Sequence, residues 1–345
     1  MFWLSRVIVI VFLLWLSQFF EDVLDSHLIS FQLTLTHVYL FHFFYHAVTR
    51  FRSTPQSIKE YAMHQTITSL LIIDPQYDFY DVPLNEQLTL GAPPNTISPS
   101  LPVPHSWEDA QRLATFINNQ QNKINNIVVT LDSHHEYDIA HTIYWQNKHG
   151  QHPAPFTLIS HQNIVDGLWQ PTNLEQLDHV LEYTQFLEQT GKYSLIIWPT
   201  HCIINSVGHT IVAPIQTAID AWEKQTALSH HTISKGENPH TEHYGGCEAE
   251  YPLHNDIKTQ FDPQLTALVI QSDRVFISGQ ALSHCVASTI EQMVDKLPLT
   301  DIHKLTLLID TTSPVAGFEQ QAKVFIEKMA ILGISIANTT DIMAG

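Results

Sequence analysis

From Thr66 onward the chain alternates short, almost wholly apolar runs with stretches of helical spacing, and most apolar runs stop at a polar or charged residue. Runs apolar at successive positions are buried on both faces, which points to parallel strands covered by helices. Strands are expected over Thr66–Ile73, Ile127–Leu131, Tyr193–Ile197, Thr232–Ser234, Val275–Ser278, Leu305–Ile309 and Ile334–Ala337. Helical spacing marks Ser106–Asn119, Gln176–Gln189, Val212–Glu223, Ser283–Val294 and Ala316–Leu332. In the first of these, Trp107, Ala110, Leu113, Ala114 and Ile117 share one face. The expected fold is α/β: one doubly wound, mostly parallel sheet with helices on both faces, spanning residues 63–345. The Pro-rich Ala92–Pro104 and the span His149–Pro171 read as loop-like insertions.

Residues 1–62 follow another rule and form a hydrophobic extension. Val7–Leu16 is apolar behind Arg6, like a signal-peptide core, yet Ser17-Gln18-Phe19-Phe20 supplies no small-x-small cleavage site. The run is also short of the roughly 20 residues that a spanning helix needs. Leu28–Ala47 is a second apolar, aromatic stretch broken by polar positions. The two expectations are a weak membrane anchor, or a natural product that starts near Met63. Membrane contact would arise only through this segment.

Charged residues make up 14 % of the chain and the formal net charge is −18, with no cluster of Lys and Arg. Nucleic acid is therefore excluded as a partner, since phosphate binding needs concentrated positive charge. Cys202, Cys247 and Cys285 are odd in number and show no paired spacing, which fits free thiols in a reducing, cytoplasmic setting. With 22 histidines in the chain, a single one carries meaning only through its neighbours.

In open parallel sheets ligands bind beyond the carboxyl ends of the strands. Asp74, Asp132 with His134, Lys235 and Cys285 each follow a separate apolar run, and His201 follows another through a Trp-Pro turn. Any one of these could be an ordinary solvated strand end; together they form a constellation. Asp132 and His134 are two apart on extended backbone, so both side chains reach the same side. A carboxylate with neutral imidazoles suits a divalent ion, zinc first, iron or manganese otherwise. His201 would complete that set, and His135 would face away.

Cys285 sits where a strand passes into the first turn of a helix. Unpaired N–H groups and the helix dipole favour thiolate there, although most free cysteines are structural. Asp74 suits the role of base for the thiol, and Lys235 that of a cation holding Asp74 and the sulfur. The N–H groups of Cys285 and of a residue in Gly279–Leu282 are placed to hold an oxyanion.

The stretches IIDPQYDF (Ile72–Phe79), VTLDSHH (Val129–His135), IIWPTHC (Ile196–Cys202), SKGEN (Ser234–Asn238) and SGQALSHC (Ser278–Cys285) occur in an informative order. With LIDTTSPVAGFE (Leu308–Glu319), they resemble the isochorismatase-like cysteine hydrolases, nicotinamidase/pyrazinamidase branch. The resemblance implies an Asp74-Lys235-Cys285 triad and a metal held by Asp132, His134 and His201. It also implies Phe79 and Trp198 flanking a flat ring, and a cis Gln280–Ala281 peptide aiming the Ala281 N–H at the oxyanion. The implied partner is a small-molecule amide in pyridine nucleotide salvage, and a homo-oligomer is compatible with it.

Three departures stand out. The family has a further metal-site histidine six residues after that of Asp-x-His; that position is Ala140 here, with His141 one later. The segment between Trp145 and Trp198 is long, and residues 1–62 have no counterpart. The rival readings are a C–N hydrolase of the same fold acting on a carbamoyl or ureido compound, a vinyl-ether-cleaving isochorismatase, and a non-catalytic scaffold.

Overall fold

The computed structural model describes residues 66–87 and 98–344. The expectations for residues 1–62, and for the start of the Pro-rich insertion, lie outside them. Among the described residues no helix is long and apolar enough to cross a membrane.

Six strands make the central sheet: β1 (Thr68–Ile73), β2 (Asn126–Asp132), β3 (His231–Lys235), β4 (Arg274–Gly279), β5 (Leu305–Leu308) and β6 (Ser335–Ala337). They lie in the order β6-β5-β4-β1-β2-β3, and every neighbouring pair is parallel. The chain begins at the middle of the sheet, runs outward through β2 and β3, and returns to β4 to build the other half. The reversal opens a crevice between β1 and β4 at their carboxyl ends, the usual ligand position in such sheets. β1 is buried at all six positions, as a central strand covered on both faces must be.

The helix Ser106–Gln120 packs against Ala213–Thr226. Ala110, Leu113 and Ile117 enter the core, with Trp107 and Ala114 packed on its margin, so the apolar stripe predicts the buried face. Two expectations need revision. Tyr193–Ile197 is not a strand of this sheet: only Leu195–Ile196 is extended, pairing antiparallel with Leu158–Ile159. The cause is a second small core, in which Ile159, Val180, Tyr183 and Leu195 of the inserted segment pack with Ile139 and Trp145. Consequently His201 comes from a loop and not from the end of a sheet strand. The span His149–Pro171 likewise holds a short helix, His161–Val165, and Gln170–Pro171 paired with Trp145–Gln146. Gln264–Gln271 is a helix without a sequence forecast, because LTALVI has too few polar positions to show a period.

Gly279 ends β4 at φ +123°, a region that L side chains rarely adopt. A Cβ there would stand 1.9 Å from the Ile73 carbonyl oxygen, across the β1–β4 pairing. Gly279→Ala is expected to destabilise the fold by about 3 kcal/mol or more, combining backbone strain with overpacking. A urea midpoint unchanged from the parent protein would contradict this.

Candidate active site

Asp74 follows β1 at φ +45° and is fully buried. Thr130 of β2 holds it in place: its Oγ1 donates to Asp74 Oδ1 at 2.6 Å, and the Asp74 N–H reaches the Thr130 carbonyl at 3.1 Å. Lys235 closes β3 directly beside Asp132, its register partner on β2. The Lys235 ammonium lies 3.0 Å from both Asp74 Oδ2 and Asp132 Oδ1. It donates to the His243 carbonyl at 2.8 Å and lies 3.8 Å from Cys285 Sγ. The three triad candidates therefore meet at the carboxyl ends of β1 and β3 and just beyond β4.

After Gly279 the Gln280–Ala281 peptide is cis. Leu282–Val286 then forms a single π turn that runs into the helix Ala287–Val294. Turns of this type recur at functional sites. Cys285 is buried within it, and Thr289 Oγ1 caps its carbonyl at 2.7 Å.

The electrostatics differ from the sequence expectation at one point. Burial pushes the Cys285 thiol well above its ordinary pKa, outweighing the pull of the Lys235 ammonium. The resting nucleophile therefore keeps its proton. Burial also raises Asp74, with Lys235 opposing. Lys235 itself is disfavoured as a cation by burial, but Asp132 and Asp74 reverse that and hold it well above the ordinary lysine value. A raised carboxyl group beside a protonated thiol suits proton exchange between them.

Asp132, His134 and His201 also converge. Asp132 Oδ2 lies 3.0 Å from His134 Nε2 and 3.5 Å from His201 Nε2. His141 joins them, fully buried, with its Nε2 3.3 Å from His201 Nδ1. Ligand atoms of His134, His141 and His201 all lie within 4.8 Å of one another. Sequence spacing placed Ala140 where the family has its histidine. A turn closed by the His141 N–H on the Asp138 carbonyl, at 2.8 Å, accommodates the extra residue.

Every imidazole of the group is oriented by a protein oxygen. His134 Nδ1 faces Asp138 at 3.0 Å, His201 Nδ1 faces the Pro199 carbonyl at 2.8 Å, and His141 Nδ1 faces the His135 carbonyl at 3.2 Å. Metal-ligating histidines are anchored in this way, so the donor set fits a divalent ion. Burial, with His134 and His201 alongside, lowers His141 to about 3 and keeps a neutral lone pair. Burial opposes charge on His134, yet Asp132 and Asp138 lift its pKa well above the ordinary value. Burial likewise works against the Asp132 carboxylate, but His134 and Lys235 hold it ionised, well below the ordinary range. His135 is exposed, as expected.

Over Cys285 and Ala281 lies a narrow pocket, bordered by Asp132 and His201 on the polar side. Its other walls are Phe79, Leu101, Trp198, Tyr244, His284 and Val315. Phe79 and Trp198 both line it; the Phe79 ring meets His201 edge-on at 5.4 Å, and Trp198 Nε1 donates to Tyr244 at 2.7 Å. Leu101, Tyr244 and Val315 come from three separate loops; no motif announces Leu101 or Tyr244, and Val315 lies within the stretch Leu308–Glu319. His284 adjoins the nucleophile, which is the only signal it offers; burial lowers it to about 4, so it is neutral.

No protein-family model matches the chain. The nicotinamidase of Saccharomyces cerevisiae is 26 % identical over 167 residues, covering 45 % of this chain and 69 % of that protein. Two structures of the yeast nicotinamidase, the second bound to the inhibitor nicotinaldehyde, superpose with TM-scores of 0.51 and 0.53 at 20 % and 19 % identity. Each match covers 79 % of this chain and 100 % of the other. A nicotinamidase/pyrazinamidase from Acinetobacter baumanii superposes at 0.51 with 18 % identity, covering 81 % of this chain and 99 % of that one. The structural matches speak for the fold. With its parallel sheet, the chain has the fold of the nicotinamidases and pyrazinamidases, and in sequence it is similar to the yeast nicotinamidase.

Proposed function

We propose that the protein is an amidohydrolase that converts nicotinamide, or a close heteroaromatic carboxamide, to the acid and ammonia through a thioester on Cys285. The observation that carries this is the meeting of Cys285, Lys235 and Asp74 at the floor of a narrow aromatic pocket. Phe79 and Trp198 flank the flat ring and bring the carboxamide over the sulfur. Asp74 takes the thiol proton as sulfur attacks the carbonyl carbon, and the displaced electron pair settles on oxygen beside the N–H groups of Ala281 and Cys285. Collapse breaks the C–N bond, and Asp74 returns the proton so that ammonia leaves. Water then gives a proton to Asp74 and attacks the thioester; the acid departs and the cysteine recovers its proton. Lys235 holds Asp74 in place and offsets negative charge on sulfur.

Asp132, His134, His141 and His201 would hold a divalent ion beside the pocket. When bound, that ion would supply a Lewis acid facing the ring nitrogen or the attacking water.

The test is ammonia release from nicotinamide, pyrazinamide and ureido compounds, with and without chelator. Release from the two heteroaromatic amides, lost with chelator, is expected; release from ureido compounds alone, indifferent to chelator, overturns the reading. The pH profile adds a check. Asp74 must be ionised to accept the proton, so kcat/KM falls as pH drops through its raised pKa. The acid limb is therefore expected above the ordinary carboxylate range, and a limb at or below that range contradicts Asp74 as the base.

A further inference from the structure

Lys235 is a flexible side chain, and its ammonium has three protons to donate. Three oxygens surround it: Asp74 Oδ2 and Asp132 Oδ1 at 3.0 Å, and the His243 main-chain carbonyl at 2.8 Å. The two carboxylates attract the ammonium from wherever it stands, whereas the carbonyl acts at short range and in one direction. It therefore fixes where the charge sits relative to Cys285 Sγ, 3.8 Å away. The residue that carries this carbonyl is restrained through its N–H by Glu242, a group with no part in the chemistry described above.

Glu242 is 1 % exposed. Its Oε1 accepts the N–H of His243 at 2.9 Å, so the side chain folds back onto the peptide next to it. Its own N–H points at Tyr183 Oη, 3.4 Å away, and its carbonyl accepts the Glu250 N–H at 2.8 Å. Gly236, next to Lys235, donates its N–H to His243 Nδ1 at 3.3 Å, clamping the same residue from the other side. Tyr183 belongs to the helix Leu177–Gln189, and Lys192 beyond that helix pairs with Glu250 at 2.8 Å. Both lie in the inserted segment, so one continuous chain runs from the insertion through Tyr183, Glu242 and His243 to Lys235 and the sulfur.

We infer that Glu242 is a positioning residue of this reaction: it fixes the His243 carbonyl that aims the Lys235 ammonium at Asp74 and Cys285, and so ties the inserted segment to the nucleophile. The inference rests on the amidohydrolase reading for its effect on turnover, and on geometry alone for its effect on the thiol. Burial raises Glu242 to about 8, so near neutral pH it serves mostly as an uncharged hydrogen-bond partner. Glutamine keeps the shape and the acceptor; methionine keeps the volume and loses the acceptor.

The experiment compares Glu242→Gln and Glu242→Met for ammonia release from nicotinamide. It also follows alkylation of Cys285 by iodoacetamide at neutral pH, read on its own peptide by mass spectrometry. Glu242→Met is expected to lower kcat by about 10-fold or more with KM within about twofold, and to slow alkylation to a similar degree. Glu242→Gln is expected to stay within about threefold of the parent in both. A folded Glu242→Met with parental kcat and alkylation rate overturns the inference. Equal impairment of the two variants overturns it as well, since charge or packing would then matter and the acceptor would not. Should Glu242→Met fail to fold, Tyr183→Phe releases the outer end of the same chain and is expected to slow alkylation about twofold; a parental rate there also overturns the proposal. If the parent protein releases no ammonia, the amidohydrolase reading fails by itself, and the alkylation rates still decide the role of Glu242.

Discussion

Cys285→Ala is expected to reduce ammonia release from nicotinamide by about 10⁴-fold or more, with the divalent ion retained in full. The size of the loss follows from the geometry. Asp74, Lys235 and the turn at Gln280–Cys285 all serve one sulfur atom, and an alanine methyl leaves them nothing to activate. Groups that act as a unit lose nearly all of their effect when the nucleophile goes. The retained ion follows from the separation of tasks: the ligand atoms of His134, His141 and His201 cluster with one another, and Lys235 joins the sulfur side to Asp132 at 3.0 Å. Ammonia release within about 100-fold of the parent would mean that water attacks the amide directly.

The second large effect concerns His141. Its replacement by alanine is expected to weaken binding of the divalent ion by at least about 100-fold, with ammonia release from nicotinamide falling as the ion is lost. His141 offers a neutral lone pair, fully buried, with its other ring nitrogen anchored on a carbonyl. Titration of the metal-free protein with zinc, following bound metal directly, measures the change. Parental affinity in His141→Ala would return the site to Asp132, His134 and His201 and leave His141 as a packing residue. Ala140→His is a useful contrast, because the Trp198 N–H donates to the Ala140 carbonyl at 2.7 Å and the position is fully buried. A histidine placed there is not expected to raise affinity.

The case of His141 shows where reading a sequence succeeds and where it stops. The sheet could be read because β1, β2, β4 and β5 are apolar on both faces, and their ends carried the residues that now meet across the crevice. Asp74, Lys235 and Cys285 stand out in the sequence as strand-end residues because position at a strand end is local information, and the structure brings the three together. Whether His141 joins the set stays open in the sequence, because counting along the chain assumes a fixed loop path, and one tight turn changes the register by a residue. The inserted segment was harder still. Tyr193–Ile197 has the composition of a buried strand, but Leu195 and Ile197 are buried in the second core while Ile196 faces the main one, a division that no local pattern shows. Glu242 could not have been found at all: an acid in a polar loop looks solvated until the tertiary structure closes over it.

The thiol offers a similar lesson on the physical side. A helix N-terminus and a neighbouring lysine both argue for thiolate, and both are present. What the sequence did not show is the depth of burial, which outweighs them and keeps the proton on sulfur until a base removes it. That places more weight on Asp74 than motif reading alone would give it.

The central claim is a covalent bond between Cys285 and the acyl group of the substrate. Acid quenching during turnover of nicotinamide, followed by mass spectrometry of the peptide containing Cys285, tests it directly. The account predicts that this peptide gains one pyridinecarbonyl group, and that the adduct is absent in Cys285→Ala. Full turnover with no adduct on Cys285, in a protein whose alanine variant also turns over, would contradict it.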